Sequence, residues 1–252
     1  MEWYVYPIAI LGGLAAGFIN TVAGNGSAIT LPLLIWLGLP PSVANGTNRV
    51  GVLFQSAVGT TQFHRKGVMD WRSGIALAIP AVVGSLLGAQ IAVQINEALF
   101  ERIIGVVMLI MLAIIVARPE RWLLGSKDMT MHRPGVKEIV IFFLIGIYGG
   151  FIQIGVGIFL LSALVLGAGF NLTKANPIKG LIVLFFTVSS LVVFIINGQV
   201  NWQLGLIVAV GQMGGAWLGA NFAVNQGAVW VRRILIVVVS LAALRFLGVL
   251  PF

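Results

Sequence analysis

The sequence predicts an all-α integral membrane protein made of two inverted-topology repeats, with broken or re-entrant helices and about eight to ten transmembrane segments. Three observations carry that prediction. The 252 residues are 59% hydrophobic and only 9% charged, against about 25% charged in an ordinary soluble domain. A polar, glycine-rich stretch, Ala23 to Arg49, lies in a region that carries no charge from Trp3 to Asn48. That stretch also returns later in the chain: matching positions stand 131 residues apart, as Gly26 and Gly157 do.

Composition removes several functions at once. The net charge of +8 comes from 15 Lys/Arg against 7 Asp/Glu, and the basic residues gather in short polar loops. That pattern sets topology and is not a nucleic-acid footprint. Without cysteine there is no disulfide, thiolate metal site or thiol redox chemistry. His64 and His132 both lie in charged loops, so neither a metal nor another cofactor is expected. The start, Met-Glu-Trp-Tyr, has no basic n-region, so a cleaved signal peptide is not expected.

The elements follow in order. Val5 to Val22 is long enough to reach across most of a bilayer core at about 1.5 Å per residue, and Gly12, Gly13, Ala16 and Gly17 give it a packing face. Ala23-Gly24-Asn25-Gly26 breaks it. Ser27 to Leu39 is too short to span and ends at Pro40-Pro41, which makes it a half-helix or re-entrant segment. Gly46 to Phe63 is the next helix, closed by His64-Arg65-Lys66-Gly67. Gly74 to Gln94, with Gly84 and Gly88 in a GxxxG pattern, is the clearest span, and Arg102 to Ala117 follows.

Residues 118–137 form the one long polar loop and divide the chain into a first membrane repeat, 1–117, and a second, 138–252. Past the loop the pattern runs again: Ile139 to Ile154, a break at Gly155 and Gly157, a short segment Ile158 to Leu166, then Pro177 to Ile196, Leu204 to Val224 and Val229 to Phe246. Ala44, Asn45, Gly67, Trp71, Gly84 and Arg102 meet Ala175, Asn176, Gly198, Trp202, Gly215 and Arg233 in one ungapped register. Chance alignment of glycine-rich apolar chains does not produce matching Trp, Asn and Arg.

Loop charge sets the orientation. The loop with Arg65, Lys66 and Arg72 is basic while its counterpart, Asn197 to Trp202, is uncharged; the acidic Gln94 to Glu101 corresponds to a loop leading into Arg232 and Arg233. Basic and non-basic loops change places between copies. Opposite orientations of the halves follow, with the 118–137 connection in the cytoplasm, both termini outside, and the two breaks meeting near the midplane.

Broken backbone at membrane depth is tolerated only where protein or a water-filled cavity satisfies it, so the breaks read as a substrate site. Inverted broken helices bring positive helix N-termini to the centre, where they hold an anion. Asn25 or Ser27 is placed to cap the first short segment; Asn45, Thr47 and Asn48 are placed to cap the helix after it, as is Asn176 in the second half. Their amides and hydroxyls donate to sulfonate, sulfite or carboxylate oxygens, although capping and turn formation alone also account for such residues. Arg49 and Lys179, each just after a repeated Ala-Asn pair, are either inward anion-holding cations or side chains that snorkel to the headgroups. Asn20, Gly26, Gln153 and Gly157 complete the candidate substrate-binding set.

All seven carboxylates, Glu2, Asp70, Glu97, Glu101, Glu120, Asp128 and Glu138, fall in loops or at segment ends. A proton relay or sodium site usually needs one at depth, although backbone carbonyls can also hold sodium. A membrane-embedded enzyme needs a nucleophile, an acid/base pair or a metal at depth, and Ser, Asn and Thr alone supply none, so no catalytic residue is assigned.

The run Gly-Asn-Gly-Ser, Leu-Pro, Leu-Gly-Leu-Pro-Pro and Ala-Asn-Gly-Thr-Asn between residues 24 and 48, its second copy and the overall length resemble the TauE/SafE family of sulfite and organosulfonate exporters across essentially the whole chain. The resemblance implies a multi-pass transporter of the bacterial cell (inner) membrane that exports sulfite, sulfoacetate or a related small sulfur-containing anion by alternating access. The alternatives are an anion channel, or an importer or exchanger of a small carboxylate or other oxyanion. Expected partners are the anion and the lipid bilayer, with no nucleic acid; the oligomeric state is left open, a homodimer included.

Overall fold

The computed structural model describes residues 3–116 and 134–223, and among these every regular element is helical. Nine helices follow in chain order: α1 Val5–Ala23, α2 Ser27–Trp36, α3 Pro41–Arg65, α4 Trp71–Gln94, α5 Glu97–Val116, α6 Val136–Phe151, α7 Val156–Ser162, α8 Leu172–Ile196 and α9 Trp202–Ala223. A π-helical turn, Ala163–Gly167, prolongs α7. The helix expected at Val229 to Phe246, Arg232, Arg233 and nearly all of the connection between the halves lie outside the described residues.

Five helices, α1, α4, α5, α8 and α9, are long and apolar enough to cross a membrane. Their outward side chains suit lipid, since Ile79 on α4 is 62% exposed and Leu11 on α1 is 65% exposed. The 25-residue α3 is as long but differs in kind: Asn45, Thr47, Asn48, Arg49, Gln55, Ser56 and Thr60 are all buried, so its polar residues face protein. At 10 and 7 residues, α2 and α7 are too short to cross.

The sequence duplication reappears in the backbone. Among the described residues the left-handed glycines pair as Gly24 with Gly155, Gly38 with Gly169 and Gly67 with Gly198, each pair in the register of the repeat. α3 and α8 start and stop in the same register and both have 25 residues.

Three starts lie five residues earlier than expected, those of α3, α8 and α5, the last at Glu97 and not at Arg102. α3 begins at Pro41 and not at Gly46, because proline at the first helical position has φ preset and no N–H to satisfy. The exposed Glu97 then accepts from the backbone N–H of Ser42 at 3.0 Å and from its hydroxyl, which places a carboxylate at the helix start. α8 begins at Leu172, where the side chain of Asn171 caps the helix by accepting from the N–H of Lys174 at 2.9 Å. Asn45, Thr47, Asn48 and Asn176 are therefore helix-interior residues and cap nothing. Nor does Asn25 or Ser27 cap α2, whose N-cap is Gly26 with no side-chain bond.

Each half reaches across to the other. An added Cβ at Gly211, Gly215 or Gly219 of α9 would meet Ile10, Leu14 or Phe18 of α1, so the numbers climb together and the two helices run parallel. Gly84 and Gly88 of α4 meet Phe143 and Ile147 of α6 in the same way. By contrast α3 and α8 run antiparallel: Arg49 bonds Ser190, whereas a Cβ on Gly180 would lie 3.7 Å from Thr60 Oγ1. Small residues let these backbones approach closely, which is how apolar helices associate in lipid.

Candidate functional site

The two breaks meet. α1 stops where Gly24 turns left-handed (φ 76°), and the second half turns at Gly155 (φ 72°) ahead of α7. The N–H of Gly157 bonds the carbonyl of Gly24 at 3.1 Å, and an added Cβ on Gly157 would lie 2.4 Å from Gly24 Cα. Three groups of polar side chains surround this junction.

In the first group, Asn20, Gln55, Ser56, Gly157, Asn176 and Lys179 line a cavity of about 20 Å³, room for about one water molecule. Asn20 donates to Gln55 Oε1 at 3.0 Å and accepts from the N–H of Gly26 at 3.2 Å, which ties α1, α3 and the start of α2 together. Lys179 Nζ donates to the carbonyls of Asn20 and Thr21 at 3.1 and 3.2 Å. An ammonium has three N–H groups, so one remains for a ligand. Asn176 Oδ1 is buried with no partner.

The second group is a hydrogen-bonded chain centred on Asn48. Its Oδ1 accepts from Thr30 Oγ1, and its Nδ2 reaches Ser27 Oγ at 3.1 Å and Gln153 Oε1 at 3.3 Å. Gln153 Nε2 passes the chain on to Thr187 Oγ1 of α8 at 2.8 Å. Asn25 is fully buried close by in sequence, and neither end of its amide has a partner. Since buried amides are nearly always satisfied, its Nδ2 is a donor in want of an acceptor.

The third group encloses Arg49, which is 0% exposed. Its guanidinium donates to the carbonyls of Gly149 (3.1 Å) and Gly150 and to Ser190 Oγ (2.8 Å), and lies 4.5 Å from the centre of the Phe194 ring. Arg49 does not line the cavity that Lys179 lines. Both cations are buried rather than snorkelling, but they do not share one chamber. Asn45 donates to the carbonyl of Phe151 at 2.9 Å, and Thr47 Oγ1 accepts from the N–H of Asn201 at 2.9 Å. These two hold helices together.

Sequence reasoning missed Gln55, Ser56, Thr187 and Ser190. A signal for the first pair exists: Gln55 and Ser56 stand seven residues after Asn48 and Arg49, on the same face of α3. Among the described residues no three His, Cys, Asp or Glu gather as a metal site.

Comparison with known proteins places the chain among membrane transporters. The family described as sulfite exporter TauE/SafE matches residues 9–246. A probable membrane transporter protein, ORF9, from Sinorhizobium sp is 28% identical over 98% of this chain and 94% of its own length. Probable membrane transporter proteins from Haemophilus influenzae and from Escherichia coli K12 (YfcA) are each 28% identical, over 89% and 93% of this chain and 88% and 86% of their own lengths. No solved structure matches the chain. It is a multi-pass bacterial membrane transporter and not an enzyme, and it belongs to the TauE/SafE sulfite exporter family.

Proposed function

We propose that the protein exports a small sulfur oxyanion, sulfite or an organosulfonate such as sulfoacetate, by alternating access between two inverted halves. The observation that carries this reading is the small cavity where Lys179 and Asn176 stand beside the Gly24–Gly157 junction. One anchored ammonium with one N–H to offer suits one small anion, and amide donors suit its remaining oxygens. Asn25, with its unpartnered Nδ2, is the further donor we assign to the substrate path.

The antiparallel run of α3 against α8, at the same register of the repeat, supports the inverted arrangement. A cavity of about 20 Å³ is a narrow site with room for about one water, which supports alternating access over an open pore. Outward movement of an anion from an inside-negative cell is favoured by about 2.3 kcal/mol per charge per 100 mV. Among the described residues the carboxylates Asp70, Glu97, Glu101 and Glu138 lie near helix ends, so none of these four is placed to couple export.

The test is counterflow in proteoliposomes holding the full chain, with sulfite, sulfoacetate, sulfolactate, thiosulfate and simple carboxylates as the panel. Saturable counterflow of a sulfur anion is expected. Flux that never saturates overturns alternating access, and flux of carboxylates alone overturns the substrate class.

A further inference from the structure

The two buried cations bind the same kind of group, and each does so across the boundary between halves. Lys179 of α8 holds carbonyls at the end of α1, at Thr21 and at Asn20, which also accepts from the N–H of Gly24 at 2.9 Å; Arg49 of α3 holds carbonyls at the end of α6, at Gly149 and Gly150. The last carbonyls of a helix have no intrahelical donor and carry the negative end of its dipole. Where helices break inside a membrane, such half-helix C-termini are a usual resting place for a coupling cation such as sodium.

We propose that Lys179 and Arg49 are resident cations that take the place of a coupling ion, so that the anion crosses with no monovalent cation bound. Four observations agree. Both positive groups are buried, Arg49 at 0% and Lys179 at 4% exposure. Each engages two successive carbonyls at a helix end. The two ends are the equivalent first long helices of the two repeats, α1 and α6. Among the described residues no three His, Cys, Asp or Glu gather to build a metal site from side chains.

The two positions then divide the work. Arg49, enclosed by two carbonyls, Ser190 and the Phe194 ring, neutralises its helix end permanently. Lys179 neutralises the other end while facing the cavity, so the charge that a bound ion would lend to the substrate comes from the chain itself.

Two measurements test this, one of which does not depend on the exporter reading. The full chain is purified and its thermal unfolding compared in sodium, potassium and choline chloride at equal ionic strength. The wild type is expected to unfold at one temperature in all three. Lys179→Ala vacates the carbonyls of Asn20 and Thr21, and is expected to unfold about 2–4 °C higher in sodium than in choline through ion linkage. A sodium-specific rise in the wild type overturns the proposal, as does a folded Lys179→Ala that ignores sodium. If that variant fails to assemble, the wild-type comparison decides alone. The second measurement is counterflow of radiolabelled sulfite, expected to change by less than about twofold when choline replaces sodium; a loss of about tenfold overturns the proposal. Failure of every panel anion to exchange would overturn the exporter reading, and the unfolding comparison would still judge this one.

Discussion

Gly157 donates its backbone N–H to the carbonyl of Gly24 at 3.1 Å, so the breaks of the two halves are joined main chain to main chain. Glycine is required at both positions for different reasons. Gly24 has φ 76°, and a Cβ there would also lie 2.6 Å from the carbonyl carbon of Gly157; Gly157 has no positive φ, but its Cβ would lie 2.4 Å from Gly24 Cα.

Alanine at these two sites is therefore expected to separate the halves, because backbone on both sides cannot move aside. Gly38 is the control: it is left-handed at φ 96° with nothing within 4 Å of an added Cβ. Gly38→Ala should cost about 1–2 kcal/mol from conformation alone. Gly24→Ala should cost clearly more than that, and Gly157→Ala should destabilise although its φ is ordinary. Denaturant unfolding in detergent checks the order; equal losses at Gly24 and Gly38 would mean the junction is soft.

Arg49→Gln is expected to act on stability before affinity. Removing the guanidinium leaves two buried carbonyls and the Ser190 hydroxyl short of a donor, and hydrogen bonds to a charged group contribute about 1.5–3 kcal/mol each. A loss of about 3 kcal/mol or more should appear in unfolding, with an unchanged KM for whatever fraction remains folded. Arg49→Lys should recover part of it, since a point charge cannot reproduce the planar fork over two carbonyls. A stable Arg49→Gln protein with a raised KM would return Arg49 to the substrate path.

Lys179→Gln is expected to behave in the opposite way. The amide can still donate to the carbonyls of Asn20 and Thr21, so assembly should survive, but the cavity loses its positive charge. KM for sulfite should rise more than about tenfold, in line with truncating one partner of a buried charge pair. Asn176→Ala, on the same cavity wall, should raise KM by a smaller factor. Wild-type KM in both variants at matched protein levels would remove this cavity from the transport path.

Long apolar runs and glycine spacing carried much of the fold in the sequence. The breaks at Gly24 and Gly155 and the register of the duplication were legible because each is a local pattern repeated once. The starts of α3 and α8 were not. Pro40-Pro41 ends one apolar run and begins the next helix with the same residues, and the Asn-rich stretch after it has the composition of a cap while lying inside a helix. Of the twelve candidate site residues, Asn20, Gly157, Asn176 and Lys179 line the cavity, whereas Ser27, Asn48 and Gln153 form a hydrogen-bonded chain and Arg49 is packed against α6 and α8 outside the cavity.

The sequence by itself determined a membrane protein, its family, its duplication and the places where its helices break, since hydropathy and repetition are properties of the chain read in line. The tertiary structure alone decided what the two buried cations hold. Arg49 meets carbonyls 100 and 101 residues away, and Lys179 meets carbonyls 159 and 158 residues away. No local spacing encodes such a pairing; it follows from α1 packing on α9 and α4 on α6, which carries the open end of each half's first helix to a cation of the other half.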